Sequence, residues 1–214
     1  QIISLCYEQM GVKPILTITG DGRLEGGDYL RGGDISYIGC GMRTNMEAIT
    51  QIMEADAFGH DTIAVVNDHK WWQMQMHLDT YFNIIDKDLC TLVESRYYAK
   101  KGEPEWVTVD LYTRESGQKE YRLTQQDVPF VEFLTQQGYT IIPIKYEDEM
   151  HYANNFLTIA PRHIMAVGNQ SKSLQQSFAE HNVKVEWIPL ETLIKGYGAA
   201  HCMTQVIRAE RAEF

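Results

Sequence analysis

The chain has 214 residues, 44% of them hydrophobic and 22% charged, the balance of a folded globular protein rather than a disordered one. Its 29 acids outnumber its 19 lysines and arginines, and the formal charge of −10 argues against a large nucleic-acid footprint while permitting a site for a small cation. No apolar run approaches the roughly 18 residues of a membrane span, and the scattered Cys6, Cys40, Cys90 and Cys202 form no CxxC pair, so no membrane role and free thiols in a reducing, cytoplasmic compartment are expected.

The chain opens at Gln1 on Ile2-Ile3-Ser4-Leu5-Cys6-Tyr7, which reads as the interior of an element and suggests a piece of a longer protein. Ile15 to Thr19 is a β-rich run. Tyr29-Leu30-Arg31 and Ile35 to Ile38 flank Gly32-Gly33-Asp34, the pattern of a hairpin. A helix follows, capped by Thr44 or Asn45, with Ala48, Ile49, Ile52 and Met53 on one face and Gly59 closing it; Thr62 to Val66 returns as a strand. Strand runs recur at Leu78 to Ile85 and Leu89 to Glu94. Beyond the Gly102-Glu103-Pro104 turn come strand candidates at Trp106 to Tyr112 and Glu120 to Leu123, a helix at Val128 to Gln137 and a strand at Tyr139 to Ile144. The last third has strands at Phe156 to Ile159 and Ile164 to Val167, a helix at Ser171 to His181 and a strand at Val183 to Ile188. Strand–strand–helix–strand thus recurs about three times, as in repeated modules sharing one core.

Three stretches carry candidate chemistry. In His77-Leu78-Asp79, a strand conformation would project imidazole and carboxylate to one face, about 6–7 Å apart, although an isolated pair of this kind is more often a surface feature. In Glu25-Gly26-Gly27-Asp28, paired glycines permit a sharp turn whose acids could orient a histidine or accept N–H bonds from a ligand, or simply face water. In Gly196 to Thr204, small residues lead into His201-Cys202, where a reactive thiol would need a base, His77 being the candidate; a cysteine buried as a small hydrophobe is the plainer reading, and it is the one given to the other three. An extended run would point His201 away from Cys202, and Thr204 to Ile207 reads as strand-like. Trp71-Trp72-Gln73-Met74-Gln75-Met76 reads as packing rather than a stacking surface. No zinc spacing, Walker loop, GxSxG or full dinucleotide fingerprint is present, so no metal or cofactor is expected.

Taken together, Glu25-Gly26-Gly27-Asp28, Arg43-Thr44-Asn45 before a helix, His77-Leu78-Asp79-Thr80 and His201-Cys202-Met203-Thr204 resemble, in order and spacing, the guanidine-modifying enzymes of the pentein superfamily. Arginine deiminase is closest in motif, with glycine amidinotransferase and dimethylarginine hydrolase as relatives. The resemblance runs from Leu24 to Glu210 and takes in Asn155-Phe156-Leu157 and Ala160-Pro161. It implies an α/β propeller of five ββαβ modules, of which residues 1–214 would be a C-terminal portion of one catalytic domain with about three modules present. It implies Cys202 as nucleophile, His77 as general acid and base, Glu25 as its acidic partner, Asp79 as a guanidinium-binding carboxylate and Arg43 as the ligand of a substrate carboxylate; Asp28 joins the substrate-binding acids. The implied activity is hydrolysis of a guanidino compound such as arginine, to citrulline and ammonia, with amidino transfer, another guanidine substrate or a non-catalytic interaction role as alternatives. Tyr197 stands five residues before Cys202, where arginine deiminases commonly carry arginine, and a second guanidinium-binding carboxylate would come from an earlier module. Self-association, or pairing with an N-terminal segment, is also expected.

Overall fold

The computed structural model describes residues 2–206. An opening helix α1 (Ile2–Gln9) leads to β1 (Tyr29–Gly32), β2 (Ile35–Cys40), α2 (Met46–Glu54) and β3 (Thr62–Asn67). Next come the short helix α3 (Leu78–Tyr81), β4 (Phe82–Asp86), β5 (Leu89–Val93), the short helix α4 (Glu94–Tyr97), β6 (Thr108–Thr113), β7 (Arg122–Pro129), α5 (Phe130–Gln136) and β8 (Thr140–Ile144). The short helix α6 (Tyr146–Glu149), β9 (Leu157–Ala160), β10 (His163–Val167), α7 (Lys172–Glu180) and β11 (Lys184–Ile188) complete the elements.

The same unit is built three times. In each, two strands pair antiparallel and the second then pairs parallel with a strand beyond a helix: β1-β2-β3, β4-β5-β8 and β9-β10-β11. The hairpin β6–β7 is an addition that pairs antiparallel with β3 and widens the first sheet to five strands.

The crossover helices follow from their sequences. Asn45 caps α2 by accepting the Ala48 N–H at 3.2 Å, and Ala48, Ile49, Ile52 and Met53 are the buried face. Ser171 caps α7 in the same way through Leu174 N–H, and Leu174 and Phe178, four apart, are buried. One core crosses the modules: Tyr37 of the first meets Phe82 of the second at 5.7 Å between ring centroids, and Phe82 meets Phe130 edge-on at 4.9 Å. Ile164, Leu174 and Phe178 of the third belong to the same cluster.

Several expectations give way to tertiary bonding. Ile15 to Thr19 forms no strand; Thr19 instead exchanges bonds with the Gln51 side chain on α2. The run from Leu78 to Ile85 is a helical turn followed by a strand. The helix expected from Val128 begins at Phe130, because Val128 and Pro129 still pair with β6. Residues 204–206 are not strand, and Ile207 lies outside the described residues. Of the run Trp71 to Met76, Trp71 is 70% exposed, whereas Gln75 is buried and Met74 packs against Tyr152, Val167 and Ala199. Among the described residues no helix is long and apolar enough to cross a membrane.

Candidate functional site

The His77 turn is held from several sides. His77 precedes α3 in extended conformation, and its carbonyl accepts both the Thr80 N–H (3.2 Å) and the Thr80 hydroxyl (2.7 Å). Its side chain does not cap the helix; Asp28 does so from the first module, its Oδ1 accepting the Leu78 N–H at 2.9 Å. The His77 ring is then free to reach Glu25, with Nε2 donating to Oε2 at 2.6 Å. Gly27 lies flat against that ring, where a Cβ would stand 2.8 Å from His77 Nδ1, too close for any side chain. Glu25 is fixed in turn by Thr44, whose hydroxyl accepts the Glu25 N–H at 3.1 Å.

The Cys202 loop hangs on one residue, Asn155, which is fully buried just before β9. Its Oδ1 accepts the N–H groups of Ala199 (2.9 Å) and Cys202 (3.1 Å), its carbonyl accepts the His201 N–H, and its Nδ2 donates to Cys202 Sγ at 3.1 Å. Asn155 is placed by the preceding module: Asn83 donates to the carbonyls of Asn154 (2.7 Å) and Phe156 (2.8 Å). The loop is a turn closed by Met203 N–H to Ala199 carbonyl, and Gly198 packs so tightly on Cys202 that a Cβ there would lie 2.8 Å from the cysteine Cβ.

The two halves meet at Asp79, which has no exposed surface. Its Oδ2 accepts from His201 Nδ1 at 2.8 Å and from the Cys202 thiol at 3.4 Å, while Oδ1 has no hydrogen-bond partner. Donor atoms of His77, Asp79 and Cys202 all lie within 4.8 Å of one another, close enough to share one cation, whether a metal ion or a planar organic one. Cys202 as a residue stands open to solvent, but its sulfur turns in among Asn155 and Asp79. Burial, followed by the Asp79 charge, pushes the thiol up to about 12, so the ligand-free site holds it protonated. A cation entering beside Asp79 offsets that carboxylate's charge and favours thiolate.

Of the residues singled out from the sequence, Glu25, His77, Asp79 and Cys202 are brought together, although His77 and Asp79 meet their partners from a helical turn rather than a strand. Asp28 lies under the turn, buried, with burial the main cause that raises its carboxyl to about 6. Arg43 stands at the mouth, its Nη1 3.9 Å from Glu25 Oε1 and its Nη2 donating to Gln73 at 3.3 Å. Arg23, Glu25 and Arg43 line an open groove of about 610 Å³ there, although His77, Asp79 and Cys202 are not among its walls. His201 and Asn155 were not singled out for the site. Strand alternation pointed His201 away, whereas the turn brings it and Cys202 to the same carboxylate.

Residues 13–209 match the family model described as arginine deiminase. The chain belongs to the arginine deiminase family. An arginine deiminase of Halobacterium salinarum is 29% identical over 86% of this chain and 48% of its own length. An arginine deiminase of Latilactobacillus sakei is 28% identical over 85% of the chain and 46% of its own length, and the uncharacterized protein YkgA of Bacillus subtilis 27% over 89% and 54%. The chain thus spans about half the length of the curated relatives it matches. A dimethylarginine dimethylaminohydrolase in adduct with 4-chloro-2-hydroxymethylpyridine superposes at a TM-score of 0.62, with 21% identity over 94% of this chain and 64% of that one. The N-terminal domain of ArgZ, a cyanobacterial arginine dihydrolase bound to product, gives 0.65 at 18% identity, over 92% and 61%. These likenesses make the family member's fold a pentein α/β fold.

Proposed function

We propose that this arginine deiminase family chain carries the nucleophile and acid–base half of a hydrolase that converts L-arginine and water to citrulline and ammonia. The observation that carries the reading is the convergence of Cys202, Asp79 and His77 donor atoms within 4.8 Å. A guanidinium is planar, cationic and a poor electrophile. Asp79 Oδ1, buried and without a partner, is the natural acceptor for its N–H groups and would fix its plane against the sulfur.

The cation drives the thiol toward thiolate, and Cys202 Sγ attacks the central carbon to form a C–S bond. The tetrahedral adduct collapses as one nitrogen, protonated by His77, departs as ammonia. His77, oriented by Glu25, then takes a proton from water, and hydroxide attack followed by C–S cleavage returns the thiol and releases citrulline. Asp28, Gly27 and Thr80 act through the position of His77, and Asn155 through that of Cys202. Arg43, which lines the groove at the mouth beside Glu25, would bind the carboxylate of the substrate.

The test is ammonia and citrulline release from L-arginine by the full-length protein. Cys202→Ala should abolish both while leaving the urea unfolding midpoint near that of the parent. Turnover retained in that variant would overturn the proposal.

A further inference from the structure

A second cluster of buried charge lies outside the site and is used by none of the steps above. Arg96 on α4 is 4% exposed. Its Nη1 and Nη2 donate to the two oxygens of Asp68 at 2.7 and 2.8 Å, and its Nε donates to Gln75 Oε1 at 2.9 Å. One face of the guanidinium stacks on Tyr81, 4.3 Å from the ring centroid. Gln75 is itself 1% exposed and donates to Glu149 Oε1 at 2.6 Å.

The placement of these contacts matters more than their number. Gln75 stands two residues before His77, and Tyr81 two residues after Asp79. One side chain therefore grips both flanks of the turn that presents the imidazole and the carboxylate, while Asp28 holds its middle through Leu78 N–H. A buried ion pair is weak evidence for stability, since apolar replacements of similar volume are often neutral. A rigid planar fork that bonds on its edge and stacks on its face is suited to fixing two segments at a set separation.

We propose that Arg96 is a positioning residue that clamps the His77–Asp79 turn through Gln75 and Tyr81, so that both groups meet Cys202. The consequence for the thiol rests on the guanidine reading above; the clamp itself does not.

The test compares the parent with Arg96→Lys and with the double variant Arg96→Gln/Asp68→Asn, which removes both charges of the ion pair together. Lysine keeps the charge for Asp68 but lacks the Nε bond and the planar face. Two electrophiles are applied to Cys202, and labelling is followed by peptide mass: neutral iodoacetamide, and 2-chloroacetamidine, whose amidinium mimics the substrate cation and whose chloride leaves as sulfur bonds to carbon. In both variants the rate ratio of amidine to acetamide should fall roughly tenfold or more, the scale of a misplaced binding group. Hydrogen exchange across residues 75–82 should quicken while the urea midpoint of Arg96→Lys stays near that of the parent. An unchanged ratio and unchanged exchange in a folded variant would overturn the clamp, and so would unfolding of both variants, which would make Arg96 a residue of global stability. If the parent itself shows no preference for the amidine, the guanidine reading falls, and the exchange result alone decides the clamp.

Discussion

Asp28 illustrates how one residue serves two demands. Its carboxylate caps α3 across a module boundary, yet burial raises its carboxyl to about 6. Between the ordinary carboxylate range and about pH 6, the folded protein keeps this proton and the unfolded chain releases it. The unfolded state then binds fewer protons, so this group's contribution to stability declines as pH rises through that window. Asp28→Asn keeps the acceptor for Leu78 N–H and removes the titration. Urea midpoints measured from pH 4 to 7 should show a decline in the parent that is absent in the variant; equal slopes would contradict the assignment. The role of Asp28 beneath the turn was not readable from Glu25-Gly26-Gly27-Asp28, because the Leu78 N–H it meets lies 50 residues away in sequence.

At the level of elements, the spacing of motifs carried further than local conformation did. Leu78-Asp79-Thr80-Tyr81-Phe82 looks like a strand because its alternation and β-formers suit one. Two bonds from Thr80 to the His77 carbonyl, and the cap from Asp28, wind its first half into α3 instead. The Gly196 to Thr204 run misled in the same way: its small residues allow an extended path, but Asn155 gathers three N–H groups of the loop into a turn. Asparagine at 155 had no local signal of this task, since its side chain bonds only to residues more than 40 positions away. Asn155→Ala leaves the Ala199 and Cys202 N–H groups without their acceptor, at a cost of about 2 kcal/mol. Citrulline formation should fall by roughly 10- to 100-fold as the sulfur loses its fixed position. Activity within twofold of the parent would show that the loop holds itself.

Across the whole molecule, the threefold recurrence of strand–strand–helix–strand was legible from hydrophobic pattern, because each module repeats the same alternation and a crossover helix with one buried apolar face, capped by a side chain in the first and third modules. The attachment of β6–β7 to the first sheet was not, since strand pairing across an excursion is decided by the edge that β3 leaves open. The site exists only because modules meet: Glu25 and Asp28 come from the first, His77 and Asp79 from the link to the second, and Asn155 and Cys202 from either side of the third. Phe82, packed between Tyr37 and Phe130, is one of the side chains that join the first two. Phe82→Ala should lower stability by about 4 kcal/mol, the range for large aromatic truncations in a core, and the loss should be read in a urea titration. A change below 1 kcal/mol would mean that the modules stand independently.

The central claim is that the sulfur of Cys202 becomes covalently bonded to the guanidine carbon of the substrate. Acid quenching of the full-length protein during turnover of L-arginine, followed by peptide mass analysis, tests it directly. Catalysis through Cys202 predicts an adduct of arginine less ammonia on the peptide that contains this residue. Citrulline production accompanied by no adduct there, or by one on Cys6, Cys40 or Cys90, would contradict it.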